Sequence, residues 1–189
     1  MEDKLTLEEM QILLRIAREA IESAVKKQQP KKLDSILLTP RLKEQGASFV
    51  TLTIQGQLRG CIGTLEPYQP LADDVREHAI AAALDDPRFP PVAPNELNEI
   101  SIEVSRLSVP HLLEYSTAED LLNKLRPHTD GVILRDGIHR ATFLPQVWEK
   151  IPSPAEFLNN LCYKMGVAPD TWKRKHLEVL VYQVEEFHE

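Results

Sequence analysis

Phe49-Val50-Thr51-Leu52-Thr53-Ile54-Gln55-Gly56-Gln57-Leu58-Arg59-Gly60-Cys61-Ile62-Gly63-Thr64-Leu65 is the stretch on which the fold turns. Residues 49–54 and 57–65 are β-favouring runs parted only by Gln55-Gly56, which reads as an antiparallel hairpin. Parallel neighbours need a crossover of a dozen or more residues, so the stretch points to α+β and away from a doubly wound sheet. The pattern extends on both sides of the hairpin. Beyond it, Leu71, Val75, Ala79 and Ala82 recur at helical spacing over 70–84, with Pro70 near the first turn. Four prolines in 87–94 then forbid helix or ladder and predict a stiff loop, after which Ile100, Ile102 and Val104 alternate with polar residues as a half-buried strand. Before it, Thr6 and Glu9 form a capping box. Leu5 and Met10 are placed as a staple, and Leu7, Met10, Leu14, Ala17, Ile21 and Ala24 carry a helix to about Gln29-Pro30. Residues 30–46 are a linking stretch.

The remainder repeats the same grammar. Ser116 with Glu119 opens a short helix, and Asp136-Gly137 is the strongest short hairpin signal, between runs 131–135 and 138–144. Ser153-Pro154-Ala155-Glu156 starts a helix that Gly166 stops, and 177–184 is a near-continuous apolar strand run. The expected fold is α+β: three to four helices on one mainly antiparallel sheet. It forms a single domain, 1–189, with 1–110 and 111–189 as its tightly packed lobes.

Composition removes several function classes. The 189 residues hold 22 Lys and Arg against 29 Asp and Glu, a net charge of −7, with no long basic block; Lys173-Arg174-Lys175 is the densest, so a nucleic-acid backbone is a disfavoured partner. There is no membrane-length apolar run and no leader pattern, so a cytoplasmic protein is expected. Two cysteines, Cys61 and Cys162, then read as free thiols. The six histidines and two cysteines make no zinc spacing, and no phosphate-binding glycine loop is present, so neither metal nor cofactor is expected.

Four of the seven glycines fall within 46–63, a costly choice inside strands. Gly60 and Gly63 flank Cys61 and would leave backbone N–H groups and the sulfur open to a ligand, and Arg59 at i, i+2 would favour the thiolate. Register matters to this reading. A two-residue loop puts Arg59 and Cys61 on the apolar face with Val50, Leu52 and Ile54. A three-residue loop ending at Gly56 gathers Val50, Leu52, Leu58 and Ile62 on one face and leaves Arg59 and Cys61 with Thr51 and Thr53, and this segregation favours it. The plain structural alternative is a small buried cysteine in a twisted hairpin.

Leu58-Arg59-Gly60-Cys61-Ile62-Gly63 resembles the signature of the AMMECR family, named after the Alport syndrome, mental retardation, midface hypoplasia and elliptocytosis chromosomal region. Further pieces are similar in order. They are Gly46-x-x-Phe49-Val50-Thr51-Leu52, Asp86-Pro87-Arg88-Phe89-x-Pro91, Ile102-Glu103-Val104-Ser105, Gly131-Val132-x-Leu134, Ala141-Thr142-Phe143-Leu144-Pro145-Gln146-Val147-Trp148 and Leu161-Cys162-x-Lys164. Lys150-Ile151-Pro152 is a local departure from the family pattern. The resemblance implies a two-lobed α+β fold and a functional patch at Arg59, Gly60, Cys61 and Gly63. It also implies, through the A component of the AmmeMemoRadiSam system, a Memo-like protein and a radical S-adenosylmethionine protein as partners.

Other candidates complete the site. His78 sits on the apolar stripe of the helix after the hairpin, as a packed core residue or as general base for Cys61. Asp86 and Arg88 pair with each other, or offer a fixed guanidinium to a carboxylate or phosphate. Glu103 points away from the apolar face of its strand, for solvent, for acid–base work or as a partner of Arg59. The expected function is an enzyme or enzyme component acting on a small molecule or a modified macromolecule, with Cys61 as thiolate nucleophile and Arg59 as its electrostatic partner. The alternative is a non-catalytic adaptor presenting the same patch.

Overall fold

The computed structural model describes residues 4–29, 33 and 38–189. The chain folds as two compact units, one of Met1–Leu107 with Glu185–Glu189, the other of Ser108–Val184.

In the first unit, α1 (Leu7–Val25) begins on the Thr6/Glu9 capping box, where the Thr6 hydroxyl accepts the Glu9 N–H and the Glu9 carboxylate accepts the Thr6 N–H. Helix α1 ends at Val25, short of Gln29; Pro30 lies outside the described residues. Its buried face is Ile12, Leu13, Ile16, Ala17, Ala20 and Ile21, while Leu7 is 79% exposed. The stripe expected from Leu7 onward follows one edge of a wider apolar band, and packing selects the centre of the band. A short α2 (Pro40–Lys43) precedes β1 (Gln45–Ile54) and β2 (Gln57–Gly63), and the two-residue β3 (Gln69–Pro70) leads into α3 (Leu71–Leu84). The proline segment is loop followed by a 3-10 turn at Pro94–Glu96, then β4 (Ile100–Leu107).

The strand order is β2-β1-β4-β9, with β3 pairing to β1, where β9 is the C-terminal Val184–His188. All ten residues of β1 pair with β2, β4 or β3, so it is the centre of the sheet. Val50 and Leu52 on β1 and Ile102 and Val104 on β4 are fully buried against Leu13, Ala17 and Ile21 of α1 and Val75, Ala79 and Ala82 of α3. Leu71, Val75, Ala79 and Ala82 form the buried stripe expected from their spacing. One face of this sheet is therefore apolar and covered by helices. The opposite face carries the alternate residues Thr51, Thr53, Cys61 and Glu103.

The apolar run at 177–184 is two strands, β8 (Glu178–Tyr182) and β9, interrupted at Gln183. The second piece belongs to the first unit because its ends are tied there. Glu185 accepts the Leu5 N–H at 3.2 Å and lies 3.5 Å from Arg106, and Glu189 pairs with Arg18. No local periodicity reveals such a return.

The second unit comprises β5 (His111–Leu112), α4 (Ala118–Lys124), β6 (Gly131–Asp136), β7 (His139–Phe143), α5 (Pro154–Met165), α6 (Thr171–Arg174) and β8, with strand order β5-β8-β6-β7. The single sheet expected from the sequence is thus two sheets, each with its own helices and core. The N-cap of α4 is Thr117 in place of Ser116, and α5 starts on Ser153 and ends at Gly166 with φ 83°. Trp148 stacks on Phe157 at 3.7 Å in its core and donates its indole N–H to the Asp130 carbonyl. Among the described residues no helix is long and apolar enough to cross a membrane.

Candidate functional site

The β1–β2 turn is a two-residue one. Gln55 and Gly56 both have positive φ, 51° and 77°, as a type I′ turn requires, and Ile54 pairs with Gln57. A three-residue loop is therefore not the device that sets the register. Thr53 pairs with Leu58 but Leu52 with Gly60, so Arg59 has no residue opposite it and forms a β-bulge. The extra residue shifts the phase of β2. Beyond it Val50 stands beside Ile62 and Thr51 beside Cys61, so the cysteine reaches the polar face as the segregation argument required.

Thr51 is the pivot of a row across three strands. It lies opposite Cys61 on β2 and opposite Glu103 on β4, and its hydroxyl donates to the Cys61 sulfur at 3.3 Å. With strands ~4.8 Å apart, thiol and carboxyl are two strand spacings from each other, far enough to hold a substrate group between them. Cys61 is partly exposed. Burial pushes the Glu103 carboxyl up from its ordinary value, the Glu186 charge adds to this, and His188 opposes it.

The backbone of Cys61 is clamped from the loop that follows α3. Its N–H donates to Asp86 Oδ2 at 2.8 Å, and its carbonyl accepts from Arg88 Nη2 at 3.2 Å. Arg88 in turn grips the same carboxylate through Nε at 2.9 Å and Nη2 at 2.7 Å, and Asp86 Oδ1 also accepts the Arg88 N–H. The pair thus serves the outer edge of β2 where another strand would otherwise be needed. Asp86 is buried, 4% exposed, and its carboxyl is held far below the usual range. Hydrogen bonding from Arg88 outweighs the burial that would raise it, with help from the Cys61 and Arg88 amides. The Arg88 guanidinium is raised, first by its bonds to Asp86, and Cys61, whose carbonyl it holds, adds to this.

Arg59 is placed differently from the expectation that it partners Cys61. Its guanidinium makes a fork with Glu96, Nε to Oε1 at 2.8 Å and Nη2 to Oε2 at 3.0 Å, and Glu96 also accepts the Ala93 N–H. Glu103 is accordingly not its partner. The bond from Arg59 is the leading reason that the Glu96 carboxyl is lowered. A guanidinium committed to a carboxylate 37 residues on had no signal in spacing alone.

The glycines serve close approach. A Cβ at Gly60 would meet the Ala82 carbonyl oxygen at 2.1 Å, and one at Gly63 would meet Phe49 Cγ and the Ser48 carbonyl oxygen at 2.4 Å. The space beside each is filled by the protein, and the expectation that both glycines open amides to a ligand does not fit this packing. His78 belongs to another cluster. Its Nδ1 lies 3.2 Å from Asp74 Oδ2, which also accepts the Ser48 hydroxyl at 2.6 Å, all on the helix-covered side of the sheet. Cys61 faces the other side, so His78 cannot act as its base from there. Asp74 Oδ1 is the buried side-chain oxygen without a partner among the described residues. No cluster of His, Cys, Asp and Glu among these residues is arranged for a metal ion.

Of the expected site residues, the structure brings together Cys61, Asp86 and Arg88, with Glu103 two strands away, and it adds Thr51. The polar phase of Thr51 in β1 was its one visible signal.

An antiparallel-sheet unit presenting a clamped, partly exposed cysteine, followed by a second α+β unit, is the class of protein that these observations define. The chain belongs to the AMMECR1 family, whose profile matches residues 14–187. It is 41% identical over 197 residues to Protein MK0488 of Methanopyrus kandleri, covering 100% of this chain and 92% of that one. A protein of Methanothermobacter thermautotrophicus is also 41% identical, over 186 residues, with 98% and 96% covered. Among solved structures, the uncharacterized protein PH0010 from Pyrococcus horikoshii matches with a TM-score of 0.78 and 35% identity, over 100% of this chain and 93% of that one.

Proposed function

We propose that the polar face of the first sheet is a thiol-dependent site for a small molecule, and that the chain works as an enzyme or enzyme component in the cytoplasm. Cys61 is the nucleophile, Arg88 its electrostatic partner in the place first given to Arg59, and Glu103 a proton donor or acceptor acting across the bound substrate. The carrying observation is the row Cys61–Thr51–Glu103, with a hydroxyl donor on the sulfur and the cysteine backbone clamped by Asp86 and Arg88. The upward shift of Glu103 supports an acid role, since a carboxyl poised nearer neutrality gives up and regains a proton more evenly. By the resemblance of the six-residue motif at 58–63, the partners are a Memo-like protein and a radical S-adenosylmethionine protein.

Alkylation of the native chain with iodoacetamide, read by mass spectrometry, tests this. Cys61 should react faster than a model thiol at pH 7, more slowly in Thr51→Val, while the fully buried Cys162 is spared. A Cys61 no faster than the model thiol overturns the nucleophile.

One observation favours an adaptor instead. Both backbone groups of Cys61 are engaged and the spaces beside Gly60 and Gly63 are filled, so the motif supplies no free amide pair for an oxyanion. On that reading Cys61→Ser recovers the two partners as well as wild type does, and Arg59→Ala loses them.

A further inference from the structure

Arg88 is held on three sides. Asp86 takes its Nε and Nη2, the Cys61 carbonyl takes Nη2 again, and its Cζ stands 5.5 Å from the centre of the Phe89 ring. These contacts orient the guanidinium plane but leave Nη1 without a hydrogen bond among the described residues, and the side chain remains 53% exposed. Two N–H donors of a pre-oriented cation thus face outward beside the residue that carries the sulfur.

We propose that Arg88 Nη1 binds the carboxylate of a small substrate whose electrophilic carbon lies one or two bonds from that carboxylate, which sets the carbon against Cys61 Sγ. This rests on the thiol reading above and adds the substrate class to it. The short link follows from geometry, since cation and nucleophile attach to the same residue, one through its carbonyl and the other through its side chain. Glu103, the carboxyl on the row that would otherwise repel an anion, is the one that burial biases toward its neutral form. Thr51, which completes the row, is uncharged.

Iodoacetate is a probe of this class, and iodoacetamide is its neutral counterpart. With either reagent the sulfur forms a bond to the CH₂ carbon, the C–I bond breaks, iodide leaves with the electron pair and the thiol proton goes to solvent. Both need the same thiolate, so the ratio of their rates isolates recognition of the carboxylate from reactivity of the thiol. The expected result is a ratio of iodoacetate to iodoacetamide at Cys61 about tenfold above that of a model thiol, the size of one charge-assisted hydrogen bond at a half-exposed site. Arg88→Met should bring the ratio down to the model value. In the wild-type chain, where folding is not at issue, inorganic phosphate should slow iodoacetate at Cys61 and leave the model thiol unaffected. Reaction with both reagents at the model-thiol ratio, with no protection by phosphate, would overturn the carboxylate site and leave the nucleophile standing. Failure of Cys61 to react with either would overturn the thiol reading and this inference with it.

Discussion

The two hairpins of this chain are built from similar strands and differ where it counts for chemistry. In β6–β7 the register runs without interruption from Val132↔Phe143 to Asp136↔His139, around a turn in which Gly137 has φ 60° and Ile138 projects fully into solvent. In β1–β2 a type I′ turn is followed within two pairs by the bulge at Arg59, and then by two glycines pressed against the Ala82 carbonyl and against Phe49 and Ser48. The regular hairpin needs its glycine only for a turn. The irregular one sacrifices strand regularity to rotate Cys61 onto the polar face and to let α3 approach closely enough for the loop after it to grip the cysteine backbone. A bulge that turns a cysteine onto the polar face, beside glycines that admit a helix, is a physical marker of a site.

The sharpest way to break this contrast is to add one methyl group in each hairpin. Gly60→Ala forces Cβ into a main-chain oxygen 2.1 Å away and must displace α3, for a loss of about 2–4 kcal/mol in urea unfolding. Gly137→Ala meets nothing within 4 Å and bears only the strain of its positive φ, about 1 kcal/mol. Equal losses would mean that Gly60 is an ordinary turn-adjacent glycine and that α3 does not position the site.

Asp86→Asn tests the clamp, at an expected loss of about 1–2 kcal/mol near neutral pH, discounted for the half-exposed partner. Its folded-state pKa is depressed, so its contribution is fully present above the unfolded carboxyl value near 4 and drains away as pH falls toward the folded value. Wild type and variant should therefore differ in thermal unfolding at pH 6 and converge under strong acid. A gap as wide at pH 2 as at pH 6 would show that the carboxylate's charge is not what holds Cys61.

The smallest effect is expected at the far end of the row. A carboxyl whose folded-state pKa is raised disfavours the fold as it ionises, so the penalty is absent below about pH 4 and grows as pH rises through the folded value. Glu103→Gln should raise Tm by on the order of 1–3 °C at pH 7.5 and leave it unchanged at pH 4. A drop in Tm at pH 7.5 would mean that Glu103 is a satisfied structural carboxylate and does not belong with Cys61.

Much of this was readable from residues, for identifiable reasons. Helix starts were visible because capping is chemistry within four residues, as at Thr6/Glu9 and Ser153/Glu156. The placing of Cys61 opposite Ile62 in facing was also visible, because apolar and polar residues segregate across a sheet. The route to that facing is a bulge at Arg59 where a longer loop is the expectation, since a bulge and a longer loop shift the phase alike. The second hairpin shows the same limit. Its central residues are Gly137-Ile138, one position later than the Asp136-Gly137 signal, because a strand can extend through Asp136 once its neighbours pair. The partner of Arg59 lay beyond any pattern argument, whereas the Asp86–Arg88 pair was expected from their closeness and only its grip on Cys61 was not. Arg59 and Arg88 are equally charged and equally near a motif, and only the packed loop decides that one meets Glu96 and the other spans Asp86 and Cys61.

The amino-acid order by itself determined the α+β class, the antiparallel hairpins, the helix caps and the suspicion that Cys61 was placed with intent. These rest on periodicity, turn residues and backbone hydrogen-bond needs, all of which act within a few positions. Tertiary structure alone decided that there are two sheets, that residues 185–189 return to the first, and that Arg88 is the cation that holds the Cys61 carbonyl. Those outcomes depend on groups 25 residues or more apart in the chain being carried together by the burial of apolar faces, and burial sets positions without leaving a local mark.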